Sequence, residues 1–177
     1  MAEFPERYKV LGADLSLKRP SFCVLSVRKE DGETHVKICK MVTVDNKLDK
    51  KKNHGQLLDD IMMTFSKLIV GEEIMTFYVR ENEIMKVKVP SERSLSKVVG
   101  LMDWSLWKFT GNEWFSIYPM TVKKLVAGSG KAKKEEVAAA LEKYLGEYDY
   151  KCDDESDAAA VALAWLIQQG EVKEIKT

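Results

Sequence analysis

Apolar and polar positions along the first 45 residues follow the period of extended chain. Residues 8–15, YKVLGADL, form an apolar run that closes near an acid, and PSFCVLSVRK after Pro20 is a second run rich in β-formers. Both predict strands, with residues 18–20 in the turn between them. Asp31-Gly32 marks the next turn, and residues 34–44, THVKICKMVTV, alternate with period two. Three consecutive strands joined by tight turns predict an antiparallel meander.

The spacing then changes. Residues 45–54 are polar and unpatterned, with Lys47, Lys50, Lys51 and Lys52 against Asp45 and Asp49, and read as an exposed loop. From 56 to 70, Leu57, Leu58, Ile61, Met62, Phe65, Leu68 and Ile69 recur at helical spacing. TFYVRE, residues 76–81, returns to β-formers and again ends in an acid. Residues 91–110 carry a helical stripe of Leu95, Val98, Val99, Met102, Leu106 and Trp107, closed by Gly111-Asn112, and residues 114–118 form a fifth strand. Beyond a stretch at 121–126 and the turn GSGK, helices are predicted over 134–145 and from about 156 to 169. The order βββαβαβαα predicts an α/β protein with a mixed five-stranded sheet and helices on both faces. Short connections favour strand one in the centre with strand four beside it. Ribonuclease H-like folds share that topology.

At 177 residues the chain fits one domain, residues 1–177. Hydrophobic residues at 45% and charged residues at 32% exclude a disordered or fibrous chain. Basic and acidic residues both number 28, so a nucleic-acid reading must rest on where charge sits rather than on its total. Cys23, Cys39 and Cys152, with only two histidines, offer neither a disulfide scaffold nor a Cys/His zinc site and fit a reducing compartment. Residues 1–16 lack an apolar core after a basic start, and no long apolar run follows, so a cytoplasmic location is expected.

Four acids stand where chemistry could sit. Asp14 ends strand one, Glu81 ends TFYVRE, and Asp154 and Asp157 open the last helix three residues apart, so the latter two share a helix face. With strands one and four adjacent, Asp14 and Glu81 lie side by side. Four such carboxylates cannot all stay ionised without a cation, and oxygen-only ligands suit Mg²⁺ or Mn²⁺ rather than zinc. Capping and the helix dipole explain acids in a first helical turn equally well, and an acid ending a strand is often a turn former. The combination in this order is more specific than its parts.

The basic residues are segregated. Lys123, Lys124, Lys131, Lys133 and Lys134 fall in a stretch from 118 to 134 without an acid, whereas 146–157 is strongly acidic. Gly128-Ser129-Gly130 could offer backbone N–H groups to a phosphate, though its spacing is not that of a Walker A loop. A solvated lysine face is the plain alternative. Trp104 and Trp107 suggest core or interface packing, Cys23 and Cys39 look like small core hydrophobes, and neither His35 nor His54 has a partner at metal or triad spacing.

These motifs together resemble the RuvC-type Holliday junction resolvases, in particular their phage and Firmicute branch. The likeness runs through LGADLSLKRPSFCVLSV, FYVREN, YPMTVKKLVAGSGKAKKEEV and DDESDAAAVALAW, in order along most of the chain. It implies a homodimeric, metal-dependent endonuclease that makes paired symmetric cuts in four-way DNA junctions. The family's four catalytic and metal-binding acids map to Asp14, Glu81, Asp154 and Asp157, holding two Mg²⁺ ions, with Mn²⁺ as an alternative. Asp153 and Glu155 compete for the third position and Glu83 for the second. The family's backbone-contacting lysines fall on Lys123 and Lys134; Lys124, Lys131, Lys133, Lys50, Lys51 and Lys52 extend the expected DNA surface. Where the family leads one to expect an aromatic wedge after the second acid, Ile84 and Met85 stand instead, and Ile84 is the expected wedge. The resemblance points to a dimer surface on residues 91–109. Other ribonuclease H-like nucleases, and a branched-DNA binder whose acids only cap helices, are the competing readings.

Overall fold

The computed structural model describes residues 4–46, 52–70, 76–82 and 90–173. Strands β1 (Arg7–Asp14), β2 (Ser21–Glu30) and β3 (Glu33–Thr43) form the meander. Helix α1 (His54–Ile69), strand β4 (Thr76–Glu81), helix α2 (Pro90–Thr110) and strand β5 (Phe115–Ile117) follow. Helices α3 (Pro119–Ala127), α4 (Lys134–Leu145) and α5 (Asp153–Gln168) complete the chain.

The sheet order is β3-β2-β1-β4-β5, with β1 central, β1, β2 and β3 antiparallel and β4 and β5 parallel to their inner neighbours. The expected placement of strand four beside strand one is met. Helix α3 is the element absent from the sequence-based order. Pro119 in its first turn and Gly128 at φ 76° bound a helix of 9 residues, too short to display a full apolar stripe. Helix α5 also starts three residues ahead of the expected point, which puts Asp153 and Asp154 inside its first turn.

Each face of the sheet carries a core. Leu11, Ala13, Phe22, Val24 and Tyr78 pack against Ile61 and Phe65 of α1 and Val98, Met102 and Leu106 of α2. On the other face, Val10, Cys23, Leu25 and Val79 meet α5, which α3 and α4 cover from outside. Helix α5 is therefore buried nearly all round, which explains its run of alanines: a slim helix can lie directly on the sheet and still accept two helices on its back. No helix among the described residues is long and apolar enough to cross a membrane.

Two sequence readings need correction. Cys39 is exposed, not core: on edge strand β3 it shares the parity of exposed His35 and Lys37 rather than that of Val36 and Ile38, and its thiol donates to the Val24 carbonyl at 3.2 Å. Trp104 and Trp107 are 52% and 63% exposed, which removes the core half of the core-or-interface reading and leaves the other half untouched; α2 turns Val98, Met102 and Leu106 inward instead.

Candidate active site

The parallel ladder between β1 and β4 pairs Gly12 with Val79 and Ala13 with Arg80, so Asp14 and Glu81 emerge at the same end of two adjacent strands. Side chains alternate along each strand. Tyr8 and Val10 face α5, and Asp14 shares their parity; Val79 faces it too, and Glu81 shares its parity. The acids thus look toward the N-terminus of α5, where Asp154 and Asp157 stand.

Burial and charge act together on these carboxyls. Asp14 is pushed up to about 7, first by burial and then by the charges of Asp157, Asp154 and Glu81, with Lys134 partly opposing. Glu81 is raised by burial and Asp157, against Lys123 and Lys134. Convergent acids with raised proton affinity in one place are a signature of functional sites.

Two cations already stand on the acids. Lys134 Nζ donates to Asp157 Oδ2 at 2.7 Å, a bond that raises the lysine's own proton affinity, and lies 3.9 Å from Asp153. Arg19 Nε lies 3.8 Å from Asp154 Oδ2 while its Nη2 donates to Asp45 at 3.0 Å. Among the described residues no three acid, histidine or cysteine side chains are close enough together to form a metal cage. The four acids are a convergent set whose outer members are held by cations. Their oxygen donors fit a hard divalent ion, with Asp14 the member whose ionisation such an ion would most assist.

The first turn of α5 separates its three candidate acids. Asp153 is the outermost, its side chain 76% exposed. Glu155 is buried, accepting from Thr43 Oγ1 at 3.2 Å and from the Lys151 N–H at 2.8 Å, and Thr43 in turn shares a 2.7 Å hydrogen bond with Ser21. Glu155 therefore ties α5 to the β2–β3 edge, and Asp154 is left to join the field around Asp14.

The lysines divide. Lys123 and Lys134 line a cleft of about 170 Å³ together with Glu81, Asp157, Pro119 and Val122. Lys131 and Lys133 line a separate shallow cleft with Ser129 and Lys143, beyond the turn that precedes α4. Lys124 is exposed on α3 and lines neither. Lys52 donates to Asp60 of α1 at 2.7 Å. Lys50, Lys51, Ile84, Met85 and Glu83 lie outside the described residues. Sequence reasoning passed over Arg19. Its signal was an arginine in the turn that leaves the acid-bearing end of β1.

A central β1 flanked by β2 and β4, with acids at the ends of β1 and β4 and at the start of a buried helix, defines the ribonuclease H-like class. No family model matches the chain. A crossover junction endodeoxyribonuclease RuvC from Wolbachia sp. subsp. Brugia malayi (strain TRS) is 23% identical over 133 residues, 66% of this chain and 80% of the relative. The RuvC of Cytophaga hutchinsonii is 43% identical over 63 residues, 35% of this chain and 32% of its own. The solved structure of Thermus thermophilus RuvC in complex with Holliday junction substrate matches with a TM-score of 0.78 at 19% identity, covering 95% of this chain and 99% of that one. The chain has the RuvC fold, and the resemblance to RuvC-type resolvases carried by its motifs is borne out.

Proposed function

We propose that this protein is a structure-selective, metal-dependent endodeoxyribonuclease, a single nuclease domain that resolves Holliday junctions and related branched DNA by paired symmetric hydrolysis. The observation that carries this reading is the convergence of Asp14, Glu81, Asp154 and Asp157 at one end of the sheet, where burial first and the neighbouring acids second push Asp14 up to about 7. Its relatives' names and the junction-bound state of the Thermus structure support the substrate.

Two divalent ions, Mg²⁺ or Mn²⁺, held by the oxygens of these four acids would supply activation of the attacking water and stabilisation of the leaving 3′ oxygen. Asp14, facing all three other acids, is the residue assigned to join the two halves of the site. Lys123 and Lys134, at the cleft, would hold the phosphate oxygens close to the carboxylates and offset their repulsion. Lys131, Lys133 and Lys124 would meet the backbone farther along an arm of the junction, with Lys50, Lys51 and Lys52 assigned to DNA and Ile84 to the junction centre from sequence. Two symmetric cuts call for a two-fold dimer. The outer face of α2, with Trp104 and Trp107 exposed, would supply an apolar surface for it.

The test is a labelled synthetic four-way junction incubated with and without Mg²⁺, with cuts mapped on both strand pairs. Paired symmetric nicks that require metal are the expected result. Binding without cuts in Mg²⁺ or Mn²⁺ would instead mark a non-catalytic junction binder, and cutting confined to hybrids or flaps would mark another ribonuclease H-like nuclease.

A further inference from the structure

Each outer acid of the cluster has a basic residue from a different element against it. Lys134 of α4 holds Asp157, and Arg19 of the β1–β2 turn stands beside Asp154. The arginine is placed by its surroundings. Its backbone N–H donates to Ser16 Oγ at 2.9 Å, and the turn is strapped to the segment after β3 by Val44 N–H to Pro20 O at 3.0 Å and Asn46 N–H to Lys18 O at 2.9 Å. Asp45, on that same segment, accepts from Nη2.

The guanidinium is shared unequally. Asp45 takes a hydrogen bond, whereas Asp154 is near enough for attraction but too far for one. Arg19 Nε is buried and has no hydrogen-bond partner among the described residues. A buried N–H left unsatisfied is costly, and a small shift toward Asp154 would satisfy it. Asp45 is the group that holds it back.

We propose that Arg19 is a positioning residue that acts as the resident counter-ion of Asp154, competing with a divalent ion for that carboxylate, and that Asp45 sets how strongly it competes. The inference rests on the assignment of Asp154 to the metal site. It extends that assignment by giving metal affinity a control outside the four acids. Asp45 is the first residue of the lysine-bearing stretch 45–54 read from the sequence as an exposed loop, and through it Arg19 links the start of that stretch to the first turn of α5.

The two partners predict changes of opposite sign. Arg19→Gln removes the competing cation, and Mn²⁺ should bind roughly two- to fivefold more tightly than in the parent protein, the range expected for a partly screened ion pair. Asp45→Asn releases the guanidinium toward Asp154, and Mn²⁺ should bind more weakly. Arg19→Lys, which keeps the charge, should stay closer to the parent than Arg19→Gln. Titration calorimetry of the full chain with Mn²⁺ alone reads all three, with thermal unfolding in chelator to verify that each variant folds. A general loss of structure would weaken binding in every variant and could not tighten it in Arg19→Gln. An unchanged or weaker isotherm for a folded Arg19→Gln overturns the proposal while leaving the metal site standing. If the parent protein binds no Mn²⁺, the metal-site assignment fails and the counter-ion role falls with it.

Discussion

A Cβ placed on Gly12 of β1 would stand 2.3 Å from the carbonyl oxygen of Ala158 in α5, and 2.8 Å from the Cβ of Ala162. Real Cβ atoms do not approach backbone so closely, so the absence of a side chain at Gly12 lets α5 lie directly on the central strand. That contact is two residues from Asp14 on one element and one from Asp157 on the other. The packing that brings β1 against α5 is therefore also what brings their acids together.

Gly12→Val should force α5 outward. Overpacking of this kind costs about 1–3 kcal/mol or more, because the obstructing atoms are backbone and cannot rotate away. Urea unfolding should register the loss of stability, and the stabilisation that Mg²⁺ confers on the parent protein should shrink as Asp14 and Asp157 separate.

Asp14→Asn should abolish cleavage while leaving junction binding intact, since the lysines are untouched; a variant that cut at the parent rate would show the acid assignment to be wrong. It also has a signature in metal-free protein. The folded-state proton affinity of Asp14 is raised to about 7, so the folded state holds a proton that the unfolded chain releases near its ordinary value. Stability consequently falls as pH rises from about 4 toward 7, with the penalty complete above that window. Asn removes the penalty. In chelator the variant should be more stable than the parent at pH 8, by an amount on the order of 1–4 kcal/mol, and indistinguishable near pH 4. Added Mg²⁺ should narrow the difference at pH 8, because an ion relieves the parent alone.

Lys134 and Lys131 should behave differently although both are exposed lysines of the same short stretch. Lys134→Ala removes a cation from the acids and should lower the cleavage rate as well as junction affinity. Lys131→Ala, in the separate cleft, should weaken binding alone. If each contacts one phosphate, each variant should flatten the slope of log affinity against log salt by about one. Single-turnover rates at saturating protein, set beside binding isotherms at several salt concentrations, separate the two.

Glu155→Ala should destabilise the fold by about 1–3 kcal/mol, because it takes the acceptor from the Lys151 N–H and one of the two hydrogen bonds from the Thr43 hydroxyl at a partly buried junction. Glu155→Gln retains an acceptor oxygen and should recover much of the loss. Chemical denaturation of the two variants tests this directly; equal losses would mean that charge, not hydrogen bonding, holds the first turn of α5.

Much of the architecture is legible in one dimension because its signals are local. The period-two run of β3, the stripe of α1 and the turn at Asp31-Gly32 each declare an element within a few residues, and short connections then leave few ways to order the strands. Helix α3 escaped because 9 residues carry too little periodicity. Cys39 was misplaced because residue type was read in place of parity: it alternates with His35 and Lys37 on the exposed side of β3, while Val36 and Ile38 face the core.

That Asp14 and Glu81 end strands and that Asp154 and Asp157 share a helix face follows from backbone periodicity, and short connections then favour the two strands as neighbours. Only the tertiary structure decided which acid of the α5 first turn is turned inward, that Lys123 and Lys134 reach the carboxylates while Lys131 and Lys133 do not, and that Arg19 stands beside Asp154. The physical reason is that these are pairings across elements: Glu155 meets Thr43 across 112 positions, and Lys134 meets Asp157 across 23. Coulombic attraction and hydrogen bonding act over a few ångströms of space, and separation along the chain does not enter them.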